Sequence, residues 1–392
     1  AASAFPGYYF CTEETNILYP HIGARGVSTG VAISEFPLYA YTLGQICRLK
    51  GGWDEATPRL VSMFFALIAA WLFWRILESK YGVRKNSLLF FVTIFILCPV
   101  SWTFFTIPMP ESTALMLFGL SGFFWICQPK SWGWQVAGAF TFCLAFLIRP
   151  YYILFLFFFL PNRRIVVSVF FACIALFGLW YRTWNGLVTT SPGYFGTQFQ
   201  TLADILRNLP RALAHFPDRV LEHTAGVGLI SLYLSRKKYT WLLLLYGTSI
   251  GMMYVLKSTH IAAHAYYLMN AGIFASLLVY LSLPEISDKW RPWFLAGYAL
   301  FTFSSTWHNF RINPEVAELA KTMAIEGPVP QGAVIASYLG GTDSQWLYFL
   351  KNPGFEMNPE DFSGHCPAGA THYLKRDPVD SASPLHFRAC PP

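Results

Sequence analysis

Residues 59–78 read RLVSMFFALIAAWLFWRILE. Between Arg59 and Arg75 the run carries no charge. Its length meets the roughly 20 residues that an α-helix needs to cross the ~30 Å hydrocarbon core of a bilayer. Similar apolar runs occupy 87–105, 112–128, 133–149, 150–161 with its flanks, 164–182, 224–235 with its flanks, 239–256, 265–283 and 292–306. Breaks fall at Pro108, Pro110, Pro129, Pro161, Pro284 and Pro292, where helices end or begin. Composition agrees with this reading. Of the 392 residues, 54% are hydrophobic and 12% charged, against about 25% charged in soluble domains, and the mean hydropathy is +0.40. The fold class expected is therefore mostly α: a polytopic transmembrane helical bundle in a lipid bilayer.

The net charge of +7 calls for no nucleic-acid partner, because membrane proteins collect Lys and Arg in cytoplasmic loops. Here the loops alternate. One set reads RILESKYGVRKNS, QPKSWG, PNRR, SRKKY and PEISDKWRP. The other contains residues 1–58, TFFTIPMPES, the Arg149–Pro150 junction, 183–223, LKSTHIAAHAYY and the tail from about 307. The first set is expected on the cytoplasmic side, the second outside. Three domains follow: a first extracytoplasmic loop (1–58); a transmembrane domain (59–306); and a small extracytoplasmic α/β appendage (307–392). In that appendage NPEVAELAKTMA, capped by Asn313, and TDSQWLYFLKN predict helices, while GAVIASYL and THYLKR predict strands. The chain begins at Ala1 within an outer loop, and a first transmembrane helix is expected upstream.

Cys366 and Cys390 in the tail are candidates for pairing in an oxidising compartment. Cys98, Cys127, Cys143 and Cys173 lie in or at the ends of spans, where cysteine acts as a small apolar filler, and Cys11 and Cys47 lie in the first outer loop. The sequence has no CxxC and no zinc-ligand spacing, and no nucleotide-binding glycine loop. No internal repeat is evident, which disfavours a transporter built on repeats.

The charges on the outer side carry the functional signal. Glu35 lies in SEFPLY, Glu111 in IPMPES at the outer start of a span, and Arg149 in FLIRPYY at the outer end of another. Lys257, His260 and His264 lie in LKSTHIAAHAYY. Each alone also reads as a helix cap or an interfacial anchor, Glu111 most of all, since a carboxylate in a first turn suits the helix dipole. Together they describe one polar chamber opening outward. Carboxylates there deprotonate an acceptor hydroxyl or hold a divalent metal ion. Arg and Lys clamp a phosphate. That chemistry suits sugar transfer from a lipid phosphate, the cations stabilising the leaving group.

These residues also carry a resemblance. NILYPHIGARG…SEFPLYAYTLGQICRLKGGWDEATPRLVSMFFALIAAWLFWRI resembles the first outer loop and second span of the bacterial C-type (GT-C) glycosyltransferases, the class of the aminoarabinose lipid A transferase and the protein O-mannosyltransferases. PMPESTALML, LAFLIRPYYILF and HAYYLMNAGIFASLL resemble later segments in the family's order, over most of residues 10–306. The resemblance implies interfacial helices in the first outer loop, one at 38–50 between the Glu35–Pro37 segment and Arg59, in an integral protein of the bacterial inner membrane with its active site facing the periplasm. The implied partners are a polyprenyl-phosphate-sugar donor, undecaprenyl phosphate being the expected carrier, and a glycan, lipid or protein acceptor. The chamber reading and the resemblance together make Glu35 and Glu111 the catalytic candidates, Arg149, Lys257 and Arg59 the donor-phosphate candidates, and His260, His264 and Tyr267 the substrate candidates. The family's catalytic Asp falls before Ala1. Glu13 and Glu14 are the nearest carboxylates present, and they read as solvated loop charges. Polymerases or ligases of lipid-linked glycans, and transporters of lipid-linked sugars, are the alternatives.

Overall fold

The structure is a computed structural model. It describes residues 5–13, 16–18, 20, 36–82, 88–98, 101, 107–128, 131–156, 163–188, 202–214, 244, 246–251, 269–306, 330, 333–338, 354–356, 366, 370–376 and 385–390. Of these, 80% are helical, so the fold is mostly α. The chain divides into two compact units: residues 1–57, 187–194 and 310–392 form one, and 58–186 with 195–309 form the other.

In the first unit, α1 (Phe5–Thr12) lies against α2 (Leu38–Lys50). The α2 bounds match the helix expected at 38–50, whereas α1 had no sequence expectation. A disulfide joins Cys11 to Cys47, with Cα atoms 5.6 Å apart. Arg48 reinforces the pairing by donating to the carbonyls of Cys11 and Glu13. Gly44 permits the close approach: a Cβ there meets the Phe10 Cβ at 2.3 Å and the Phe10 carbonyl carbon at 2.8 Å. The helix stops at Gly51, whose left-handed backbone (φ 79°) returns its N–H to the Arg48 carbonyl. Asp54 then caps the following helix, accepting from the backbone N–H groups of Ala56 and Thr57. Hydrogen bonds from Lys50 and Thr57 hold the Asp54 carboxyl well below the usual carboxylate range.

The same unit holds a four-stranded sheet of β1 (Ile335–Tyr338), β2 (Gly354–Glu356), β3 (His372–Arg376) and β4 (Leu385–Ala389), in the order β2-β1-β3-β4. β1 pairs in parallel with β2 and β3; β3 and β4 are antiparallel. β1 and β3 lie within the two stretches expected as strands, and β2 and β4 are additional. Parallel neighbours require a crossover connection. The helix expected from TDSQWLYFLKN falls in the β1–β2 connection and, like that at NPEVAELAKTMA, lies outside the described residues. Cys366 and Cys390 are disulfide-bonded, as the oxidising-compartment reading allowed, and pack on the buried Ala336 and Tyr373.

The second unit is helical: α3 (Ala56–Tyr81, entering the unit at Pro58), α4 (Leu88–Leu97), α5 (Pro110–Cys127), α6 (Trp132–Ile148), a 3-10 turn (Pro150–Phe155), α7 (Arg163–Val188, leaving the unit after Gly186), α8 (Leu202–Ala214), α9 (Met269–Ser282) and α10 (Arg291–Thr306). Phenylalanines fill the interior. Phe73 of α3, Phe118 of α5, Phe155 of the 3-10 turn and Phe274 of α9 meet with ring centroids 5.5–6.2 Å apart. Buried hydroxyls bond to their own helices: Ser121 to the Phe118 carbonyl, Thr141 to that of Ala137 and Ser276 to that of Gly272.

Among the described residues one helix, Ala56–Tyr81, is long and apolar enough to cross a membrane. Three shorter apolar stretches are Trp132–Ile148, Ile165–Trp180 and Ala271–Ser282. The helix over the span expected at 164–182 runs Arg163–Val188, 26 residues, with its apolar stretch at Ile165–Trp180, and the run expected at 150–161 opens as a 3-10 turn because Pro150 interrupts the helix before it. The outward faces are apolar all the same. Phe64 and Trp71 of α3, Phe140 of α6, Phe171 of α7 and Leu300 of α10 are exposed, an arrangement that in water marks an interaction surface. Exposed tryptophans stand at two helix starts, Trp132 (74%) on α6 and Trp293 (71%) on α10.

Candidate functional site

The site is assembled by the hairpin of α5 and α6. Four residues, Gln128–Ser131, separate the helices, and so short a connection makes them antiparallel neighbours. At the hairpin's closed end the Trp125 indole donates to the Gln135 carbonyl at 3.2 Å. Gly138 accommodates that indole, since a Cβ there lies 2.4 Å from Nε1. Glu111 stands fourteen residues before Trp125, and Arg149 fourteen after Gln135. At 1.5 Å per helical residue both positions lie about 21 Å away, at the open end. The closed-end register thus delivers the two charges to each other.

Prolines complete the geometry. Pro110 occupies the first turn of α5, where its missing N–H costs nothing and its fixed φ suits the helix. Glu111 follows within that turn. Pro150 disfavours helical backbone at the residue before it, and Arg149 is accordingly extended, with φ −138° and ψ 95°. Arg149 Nη2 donates to Glu111 Oε1 in an ion pair. The Glu111 side chain is 2% exposed and that of Arg149 14%. The helix dipoles favour both charges, anion at an N-terminus and cation at a C-terminus. The setting is therefore a buried ion pair at helix ends, where the low local dielectric strengthens the attraction and makes removal of either partner costly.

Polar residues surround the pair. Ser112 and Thr113 are buried in the same turn, and Ser112 Oγ donates to the Met109 carbonyl at 3.1 Å. Ser62 of α3, fully buried, accepts from the Met109 N–H at 3.4 Å and brings the start of α3 to this end. Beyond Arg149, Tyr151 and Tyr152 are buried, and Tyr152 lies 4.6 Å from the Phe118 ring. Sequence reasoning did not single out Ser62, Ser112 or Thr113. Their signal was three polar residues in otherwise apolar helical runs.

Of the residues singled out from sequence, the structure brings Glu111 and Arg149 together. Arg59 is exposed on the first turn of α3 and makes no ion pair among the described residues. Glu13 caps the end of α1 through its backbone N–H, which donates to the Tyr9 carbonyl. Glu14, Glu35, Lys257, His260, His264 and Tyr267 lie outside the described residues. Among the described residues no three His, Cys, Asp or Glu side chains gather into a metal-sized group. A carboxylate already paired with Arg149 is not by itself a divalent-cation site, so no step is derived through a metal. Comparison with family models, characterised proteins and solved structures finds no match.

Proposed function

We propose that the chain is a polytopic membrane glycosyltransferase that moves a sugar from a polyprenyl-phosphate donor to an acceptor on the extracytoplasmic face. The observation that carries this reading is the buried Glu111–Arg149 pair at one end of the α5–α6 hairpin, the end assigned to the outside by the loop charges. The guanidinium presents a planar fork suited to phosphate oxygens, and Glu111 is the positioning residue that fixes its direction. In the step, an acceptor hydroxyl gives its proton to a carboxylate, for which Glu35 is proposed. The acceptor oxygen forms the new bond to the anomeric carbon as the bond to the phosphate oxygen breaks. The charge developing on the departing phosphate is stabilised by Arg149, with Lys257 and Arg59 as the further cations proposed. His260, His264 and Tyr267 are proposed to line the substrate side. A transporter reading fits less well, because the charged pair sits at helix ends rather than at mid-helix, where transporters place their sites.

The membrane setting rests on three supports. The outward faces of the helices carry Phe, Leu and Trp. Exposed Trp132 and Trp293 stand at the ends joined to basic loops, as in an interfacial aromatic belt. The cysteines divide by setting: those assigned outside are disulfide-bonded, and those in the apolar helices are free thiols. In inside-out and right-side-out vesicles, cysteines introduced at Lys237 and Ser381 are expected to label with an impermeant maleimide from opposite faces. Labelling of both from one face contradicts the topology. Glu35→Gln keeps size and hydrogen bonding but removes the charge. It is expected to slow release of polyprenyl phosphate from a polyprenyl-phosphate-linked sugar by about a hundredfold or more. An unchanged rate removes Glu35 from the chemistry.

A further inference from the structure

The segment LADILRNLPRALA forms α8 (Leu202–Ala214), inside the stretch 183–223 that the loop charges assign to the outer side. At 13 residues it is about 20 Å long, too short for the ~30 Å hydrocarbon core. Pro210 lies inside the helix, so the Leu206 carbonyl loses its usual helical donor. Such a carbonyl is tolerated where water is at hand and costly in hydrocarbon. Leu206, Leu209 and Leu213 follow the i, i+3, i+7 spacing of a single face, yet Leu206 is 61% and Leu213 52% exposed. Arg207 and Arg211 fall on the opposite side of the helical wheel, with Asp204 and Asn208.

From this pattern we infer that α8 is an in-plane helix that docks on the outer leaflet. Its leucine face is buried at the headgroup–acyl boundary, and its arginines reach lipid phosphates. With Asp204 on the same side, Arg207 and Arg211 leave it a net charge of +1, which makes anionic lipid the fitting surface. The inference rests on the membrane reading above, and adds to it an interaction surface and a lipid class.

The test uses the full chain in vesicles of phosphatidylcholine, with or without phosphatidylglycerol. Nitroxide labels are attached at Leu206→Cys, Leu213→Cys, Asp204→Cys and Asn208→Cys, with the parent chain's signal subtracted. Collisions with oxygen are expected to exceed those with a nickel chelate at 206 and 213, and the order is expected to reverse at 204 and 208. Phosphatidylglycerol is expected to deepen the two leucine positions, and Arg207→Gln/Arg211→Gln to abolish that increment. Nickel access at all four positions overturns the proposal. So do leucine labels shielded from both reagents, which means that a protein surface covers the face, and so does indifference to phosphatidylglycerol. A label at Leu67 of α3 serves as control. If it is oxygen-exposed while α8 is not in lipid, this inference alone falls; if it is open to nickel, the membrane reading falls with it.

Discussion

Arg149→Ala is expected to be the most damaging single substitution in the described bundle. It strands the Glu111 carboxylate, 2% exposed, without its cation, and breaking one side of a buried pair costs about 3–5 kcal/mol. It is also expected to eliminate most sugar transfer, because the donor phosphate proposed to bind there loses its guanidinium. Arg149→Lys keeps the charge and loses the planar fork, so a fraction of the activity is expected to survive. Folding and function separate in the double variant Glu111→Gln/Arg149→Met. Replacing a buried ion pair by neutral groups of similar volume is often neutral or stabilising. The double variant is therefore expected to melt near the parent temperature and to remain inactive. Melting in detergent beside an assay of polyprenyl-phosphate release decides the point. A stable double variant with normal activity makes the pair purely structural.

The second large effect concerns the α1–α2 pair. The Cys11–Cys47 bond closes a separation of 36 residues, for which the chain-entropy relation gives about 4 kcal/mol. Cys11→Ser/Cys47→Ser is expected to release α1 from α2 and expose the two helices, Phe5–Thr12 and Leu38–Lys50, to protease, whereas in the parent they resist until reductant is added. Equal cleavage rates contradict this. The same chemistry reads out the compartment. Denaturation with alkylation, without reductant, is expected to modify only Cys98, Cys127, Cys143 and Cys173. Modification of all eight cysteines means that the two disulfides do not form in the cell.

Where the residues themselves state their structure, the sequence was legible. The family resemblance placed α2 at 38–50, and the prolines at 108–110 and 150 bracketed α5 and α6. The expectation that Glu111 and Arg149 share one end needed only a count of spans and loops. That they touch was not legible, because it depends on the Trp125–Gln135 register and on the extended backbone that Pro150 imposes on Arg149. Cysteine spacing left the partner of Cys47 open, since connectivity does not follow from sequence. β2, three residues reading GFE, is too short for an alternation to register. α8 was overlooked because its leucines recur at helical spacing in a stretch read as a loop, although that spacing was present to be counted.

Arg149, held by Glu111, is proposed to receive a lipid phosphate. The most direct measurement is native mass spectrometry of the purified full chain with undecaprenyl phosphate and, in parallel, with the neutral alcohol undecaprenol. The parent is expected to retain the phosphate over the alcohol, Arg149→Lys to retain it weakly, and the stable Glu111→Gln/Arg149→Met variant to show no preference. An undiminished preference for the phosphate in that double variant contradicts this.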